Sequence, residues 1–112
     1  MIIELNNEQD FVAFQINRSG NTIEILDINV NTERRKGTGS HLIAKLIQSH
    51  RRMEPYNLYA LTRRSNEAAR AFYHSLGFTA VSLLPEFYIN KEQDGTVVGR
   101  EDAIIYSKVV QS

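Results

Sequence analysis

An α/β (α+β) fold built on a mixed sheet is what this 112-residue sequence predicts. Three observations carry that expectation. Strand-like apolar runs stand towards both ends of the chain. A helical period replaces them over residues 40–52, and again after Asn66. Between the first strands and the first helix lies a short cationic stretch with two glycines, Arg34-Arg35-Lys36-Gly37-Thr38-Gly39.

Each element has its local reason. Residues 1–5 are a short apolar run. Phe11 to Ile16 reads as a strand, and Arg18-Ser19-Gly20-Asn21 as the turn that leaves it. Thr22 to Val30 alternates apolar and polar residues, but the alternation slips by one at Leu26-Asp27, which predicts a bulge. Leu42, Ile43, Leu46 and Ile47 then form one face of a helix over 40–52. Ser40 lies near its start, Arg51-Arg52 in its last turn, and Pro55 forbids continuation. Tyr56 to Thr62 is β-rich. Ser65-Asn66 offers an N-cap to a second helix with the stripe Ala68, Ala69, Phe72, Leu76, which Gly77 ends. Phe78 to Leu84 and Ala103 to Val110 read as strands, and 90–102 as a loop or hairpin connection. The unit 22–62 has the form of a right-handed crossover, so its two strands are expected to run parallel.

Composition narrows the function classes. Hydrophobic residues at 42% and charged residues at 23% exclude a disordered chain. The length suits a single domain over 1–112. Absence of cysteine removes disulfide scaffolds, Cys-zinc sites and thiol nucleophiles together. No apolar run reaches the roughly 18–20 residues of a membrane span, and Met1 to Asn7 lacks the basic and apolar regions of a secretory leader. The expectation is a cytoplasmic protein without a membrane partner.

The formal net charge is zero, yet the charge is segregated. Residues 1–33 carry Arg18 against six carboxylates, a net −5. Residues 34–70 carry nine cations against Glu54 and Glu67, a net +7, and residues 71–112 sum to −2. A basic middle and an acidic start suit an anion and a cation bound at different places, or else a clustered, solvated surface.

The glycine stretch favours the anion. Two glycines let backbone N–H groups approach a ligand, and the following helix adds free N–H groups at its positive end. The P-loop pattern fails because the second glycine comes two residues after the first and Ser40-His41 follows. The Rossmann pattern fails because Leu42 stands where a third glycine belongs. What remains is R-x-x-G-x-G from Arg34 to Gly39. A second segment, Ser65 to Phe78, reads N-x-x-A-x-x-F-Y-x-x-x-G-F from Asn66, and the tail carries Pro85-Glu86-Phe87-Tyr88 and Glu101-Asp102-Ala103. Together these resemble the GNAT superfamily of acyl-CoA N-acetyltransferases, over about residues 22–110. Only about 20 residues precede the strand at 22–30, where the family usually has a strand, two helices and two more strands. The chain resembles a minimal member lacking the first strand and the helix pair.

The resemblance implies a mixed, mostly antiparallel sheet with a central splayed parallel strand pair and two main helices. It implies acetyl-CoA as cosubstrate, no metal, and acetyl transfer to a primary amine by direct attack in a ternary complex. The pyrophosphate would lie on backbone N–H groups of Arg35, Lys36, Gly37, Thr38, Gly39 and Ser40, with Arg34 adding charge. Backbone groups of Ile28, Asn29 and Val30 would bond pantetheine or the thioester oxygen, and Asn66 would reach the pantetheine arm. Tyr73 would be the general acid for the leaving thiolate; the plainer reading is a helix tyrosine packed on the core. Glu24, with Asp27 as its neighbour, would be the base; the plainer reading is a surface carboxylate.

The remaining candidates read as structural. His41, His50 and His74 are not spaced as a metal cluster and read as solvated. Tyr56, Tyr59, Tyr88 and Tyr106 read as strand and core residues, with Tyr88 the one to test for a substrate contact. Arg51-Arg52 and Arg63-Arg64 read as solvated, with Arg63-Arg64 near enough to Asn66 to approach CoA phosphates. Two alternatives stand beside an active enzyme: a catalytically silent module of this fold that binds CoA or a protein, and nucleic-acid binding through the +7 segment, which CoA phosphates explain equally well. The acceptor is expected to be a small amine, a lysine, a polyamine or a protein N-terminus, with a homodimer as one way to complete its site.

Overall fold

A computed structural model describes residues 2–5, 10–17, 21–29, 38–51 and 55–111. The chain divides into two compact units, Met1–Tyr59 with Val109–Ser112, and Ala60–Lys108. Among the described residues, six strands follow the hydrogen-bonded order β1-β2-β3-β4-β6-β5.

In the first unit, β1 (Ile2–Leu5) pairs antiparallel with β2 (Asp10–Asn17), and β2 with β3 (Thr22–Asn29). Register shifts between Ala13 and Phe14: Ala13 faces Asp27 and Phe14 faces Ile25, so Leu26 is the extra residue of a bulge. That is where the alternation slips, and Leu26 is 54% exposed while Ile23 and Ile25 stay in the core. The first helix, α1 (Thr38–Ser49), packs on β1 and β2 and buries Leu42, Ile43 and Leu46. It ends earlier than predicted. Arg51 lies beyond it, Arg52 lies outside the described residues, and the last turn holds no basic residue. The physical reason is local: Ser49 Oγ donates to Lys45 O at 2.8 Å, and His50 Nδ1–H to Leu46 O at 2.9 Å. The His50 N–H meanwhile closes a tight turn on Ile47 O, so the carbonyls of Lys45, Leu46 and Ile47 have partners without further helix. His50 is therefore not a solvated histidine; its ring is half-buried, edge-on to Phe14 at 5.1 Å.

The strand β4 (Tyr56–Arg63) begins beside the start of β3. Asn57 N–H donates to Asn21 O at 3.1 Å, and the Asn21 side chain donates to Pro55 O. Two neighbouring strands that start together run the same way, as a crossover through α1 requires.

In the second unit, α2 (Glu67–Ser75) is followed by a long hairpin, β5 (Thr79–Lys91) and β6 (Val97–Val110). The stretch 90–102, expected as a connection, is mostly strand; only 92–96 turns, with Glu92 N–H on Thr96 O and Gly95 at φ +90°. The sequence hides this because β5 is an edge strand exposed along nearly its whole length, so no two-residue burial period marks it. Three register shifts interrupt the hairpin, the widest between Leu84 and Tyr88, where Glu86 takes φ +53°.

Candidate active site

The first unit holds the candidates on β3 and α1. The Leu26 bulge decides which way they point. Glu24 pairs with Gln15 and Asp27 with Ala13, and those β2 partners are two residues apart, so Glu24 and Asp27 share one face of the sheet. Without the extra residue they would face opposite ways. Glu24 is half-buried and Asp27 exposed. Ile28 faces Val12 on the opposite, apolar side, and Asn29 ends the strand opposite Phe11. Val30, Arg34, Arg35, Lys36 and Gly37 lie outside the described residues. Thr38 opens α1, Gly39 is buried and Ser40 exposed. No acidic residue occupies the first turn of α1, so its positive end is left uncompensated by the helix itself.

The second unit holds Asn66 and Tyr73. Asn66 caps α2, its Oδ1 accepting the Ala69 N–H at 3.0 Å, and Glu67 adds an anion in the first turn. The cap uses Oδ1, so the Asn66 amide keeps its donor group, Nδ2, outside the cap bond. At the other end, Gly77 N–H reaches His74 O and Phe78 N–H reaches Tyr73 O, both at 3.0 Å. This is a Schellman closure with Gly77 at φ +88°, and the Tyr73 and Phe78 rings meet over it at 5.2 Å. Tyr73 is 4% exposed, edge-on to Phe72 and stacked on Tyr106 at 5.9 Å and 24°. The ring is thus core material, and three aromatics, Phe72, Phe78 and Tyr106, fix its direction. Glu67, Arg70, Ala71 and His74 on one face of α2, with Tyr106, line an open depression of about 400 Å³. His41 and His74 are exposed, as expected.

Of the arginines expected to be solvated, Arg51 is exposed, whereas Arg63 and Arg64 are ion-paired. Arg63 donates from Nη1 to Asn90 Oδ1 at 2.7 Å and Glu101 Oε1 at 3.1 Å, and its guanidinium lies 4.5 Å from the centre of the Tyr88 ring. Arg64 Nη1 meets Asp102 Oδ2 at 3.0 Å, and its N–H meets Asp102 O. Burial pushes the Tyr88 hydroxyl pKa up, with Arg63 opposing. Hydrogen bonds from Ser65, then Arg63, hold the Glu101 carboxyl below its usual range. The Glu86 N–H, then Arg64, do the same for Asp102. Tyr56 and Tyr106 are buried, Tyr59 and Tyr88 half-buried, and Tyr106 OH accepts from Arg70 Nε at 3.3 Å. Sequence reasoning gave Glu101 and Asp102 no role. The available signal was two adjacent carboxylates matching two adjacent arginines, but 38 residues separate the pairs.

Among the described residues no group of three or more His, Asp or Glu could hold a metal ion, and no helix is long and apolar enough to cross a membrane.

Known proteins are similar to this chain in sequence and in fold. The [Ribosomal protein bS18]-alanine N-acetyltransferase of Escherichia coli (strain K12) is 31% identical, over 89% of this chain and 72% of its own length. The crystal structure of the ribosomal-protein-S18-alanine N-acetyltransferase from Escherichia coli superimposes with a TM-score of 0.75 at 29% identity, covering 97% of this chain, which spans 66% of that one. A putative streptothricin acetyltransferase from Bacillus anthracis, solved in complex with acetyl coenzyme A, superimposes at 0.73 with 27% identity, over 96% of this chain and 60% of its own. Residues 5–78, more than half of the chain, match the Acetyltransferase (GNAT) family, and this chain belongs to it.

Proposed function

We propose that this chain moves the acetyl group of acetyl-CoA to a primary amine by direct attack in a ternary complex. The observation that carries the reading is the α2 segment. Its cap leaves an amide donor at Asn66, and its aromatic packing fixes the direction of Tyr73 seven residues on. Family membership supports the same chemistry. Residues 1–112 would work as one acetyltransferase domain, since the family match begins in the first unit and continues to Phe78 of the second.

Each residue takes the task that the family resemblance implies. The amides of 35–40, with Arg34, would take the pyrophosphate at the uncompensated start of α1. Backbone groups of Ile28, Asn29 and Val30 would bond pantetheine and polarise the thioester oxygen, and Asn66 Nδ2 would donate to a pantetheine carbonyl. Glu24 or Asp27, sharing one face, would take the ammonium proton directly or through water. The amine lone pair would then attack the thioester carbon. The tetrahedral adduct would collapse by breaking C–S, the thiolate would take the phenolic proton of Tyr73, and the second nitrogen proton, lost through solvent as the amide forms, would balance reprotonation of the Tyr73 phenolate. A phenol suits this step because its pKa of about 10 keeps the proton available at neutral pH.

Relatives that acetylate a ribosomal protein favour a protein N-terminus as acceptor over a lysine or small amine. That acceptor would place the chain in the cytoplasm. A homodimer finds support in the exposed Val81, Leu83, Phe87 and Ile89 of the edge strand β5, and light scattering at assay concentration tests it. The enzymatic test is Tyr73→Phe, which keeps the ring packing and removes only the hydroxyl. Free CoA released from acetyl-CoA with an N-terminal peptide should fall about 100-fold in kcat, the scale of general acid catalysis, with acetyl-CoA binding retained. An unchanged kcat refutes the acid role.

A further inference from the structure

The entry to α2 is not built by its own segment. Asn66 N–H closes a turn on Arg63 O at 3.0 Å, so residues 63–66 form a loop whose last member is both the helix cap and the pantetheine donor of the reading above. Glu101 of β6 sits at the mouth of that turn. Its Oε2 accepts the Ser65 N–H at 2.7 Å and its Oε1 takes Arg63 Nη1 at 3.1 Å, so one carboxylate holds the residue before the cap and the first residue of the turn. Its side chain is only 17% exposed. Asp102, pointing to the other face of β6, grips Arg64 through Oδ2 and its backbone O, and takes the Glu86 N–H on Oδ1. Arg70, one turn into α2, closes the set by donating to Arg64 O at 3.1 Å.

From this we infer that Glu101 is a positioning residue for the acetyl-CoA site: it presets the 63–66 turn so that Asn66 is aimed before the ligand arrives. The inference rests on the proposed role of Asn66. Physically, an Asn66 amide donor on a turn without Glu101 must be ordered by the ligand, and apparent affinity falls in proportion to the fraction of time the turn is formed. The ion pair alone would be a poor reason for such a residue, because Arg63 is 40% exposed and such pairs contribute little. The acceptor for the Ser65 N–H is what only an oxygen at this point supplies. The acetyl step itself, at Tyr73 on the second turn of the helix, is not touched.

The experiment measures acetyl-CoA Kd by calorimetry, with steady-state KM and kcat, for wild type, Glu101→Ala, Glu101→Gln and Gly77→Ala. Glu101→Ala should raise Kd and the acetyl-CoA KM about tenfold, as for a turn formed a tenth of the time, with kcat within about twofold. Glu101→Gln keeps an oxygen for Ser65 and should recover part of the loss; it also serves if the alanine variant fails to fold. Gly77→Ala strains the opposite end of α2 and should lower stability with Kd unchanged. Wild type that binds acetyl-CoA, with both Glu101 variants binding as tightly, overturns the positioning role alone. Equal losses in Gly77→Ala and Glu101→Ala overturn it too, since the effect is then general stability. Wild type that binds no acetyl-CoA removes the site reading, and this inference with it.

Discussion

Asn66 is given two jobs that chemistry can separate, capping α2 through Oδ1 and donating to pantetheine through Nδ2. Asn66→Asp tests the separation. Aspartate ranks with asparagine as an N-cap, and its carboxylate keeps an acceptor for the Ala69 N–H now met at 3.0 Å. A negative charge at a helix start adds up to about 1 kcal/mol of stabilisation at an exposed site, so melting temperature should hold or rise slightly. Asn66→Ala loses the cap instead, at about 1 kcal/mol, or about 4–8 °C for a domain near this size. Binding should follow the other job. An ionised carboxylate has no donor, and it turns an acceptor towards the pantetheine carbonyl. Leaving that carbonyl unpaired costs about 1–3 kcal/mol, which weakens acetyl-CoA about 5- to 150-fold. Calorimetric titration and thermal melts followed by circular dichroism read the two effects on the same samples. Asn66→Asp that binds acetyl-CoA as tightly as wild type would refute the donor role, whatever its melting temperature.

The remaining predictions concern what holds α2 and the hairpin. Gly77→Ala places a Cβ at φ +88°, where it also meets Lys108 Nζ at 2.9 Å and disturbs the bond from that ammonium to Leu76 O. The left-handed conformation alone costs a residue with a Cβ about 1–2 kcal/mol, so the melting midpoint should fall by about 4–16 °C; an unchanged midpoint argues against the Schellman closure. Glu101 and Asp102 titrate below their usual range in the folded chain. Their stabilisation is therefore fully present above the unfolded carboxyl range, about pH 4, and is lost as pH falls through the lower folded values. The stability gap between wild type and Asp102→Asn, measured by urea melts, should be widest at pH 7 and narrow by pH 3. A gap that stays constant would show that Asp102 contributes no charged-state stabilisation.

The legible parts of this protein were the local ones. The two helices follow from apolar stripes at helical spacing, the cap from Asn66, the closure from Gly77, and the bulge from a single slip at Leu26-Asp27. Each is encoded within a few residues, where side-chain period and turn chemistry act directly. The family was legible too, because its motifs are short and the one from Asn66 to Phe78 falls on the cap, helix and closure of α2. Two differences have physical reasons. Arg51, expected in the last turn of α1, lies beyond Ser49, where the Ser49 and His50 side chains bond back to helix carbonyls. The hairpin is longer than the sequence predicts because an exposed edge strand needs no alternation.

What only the tertiary structure decided is which distant groups meet. Glu24 and Asp27 were candidates by sequence, but the pairing of β3 on β2 puts them on one face. Arg63 and Arg64 read as free surface charge until β6 brought Glu101 and Asp102 to them across 38 residues. Periodicity reports whether a side chain faces a core. It carries no address for the partner, which strand order and register alone supply.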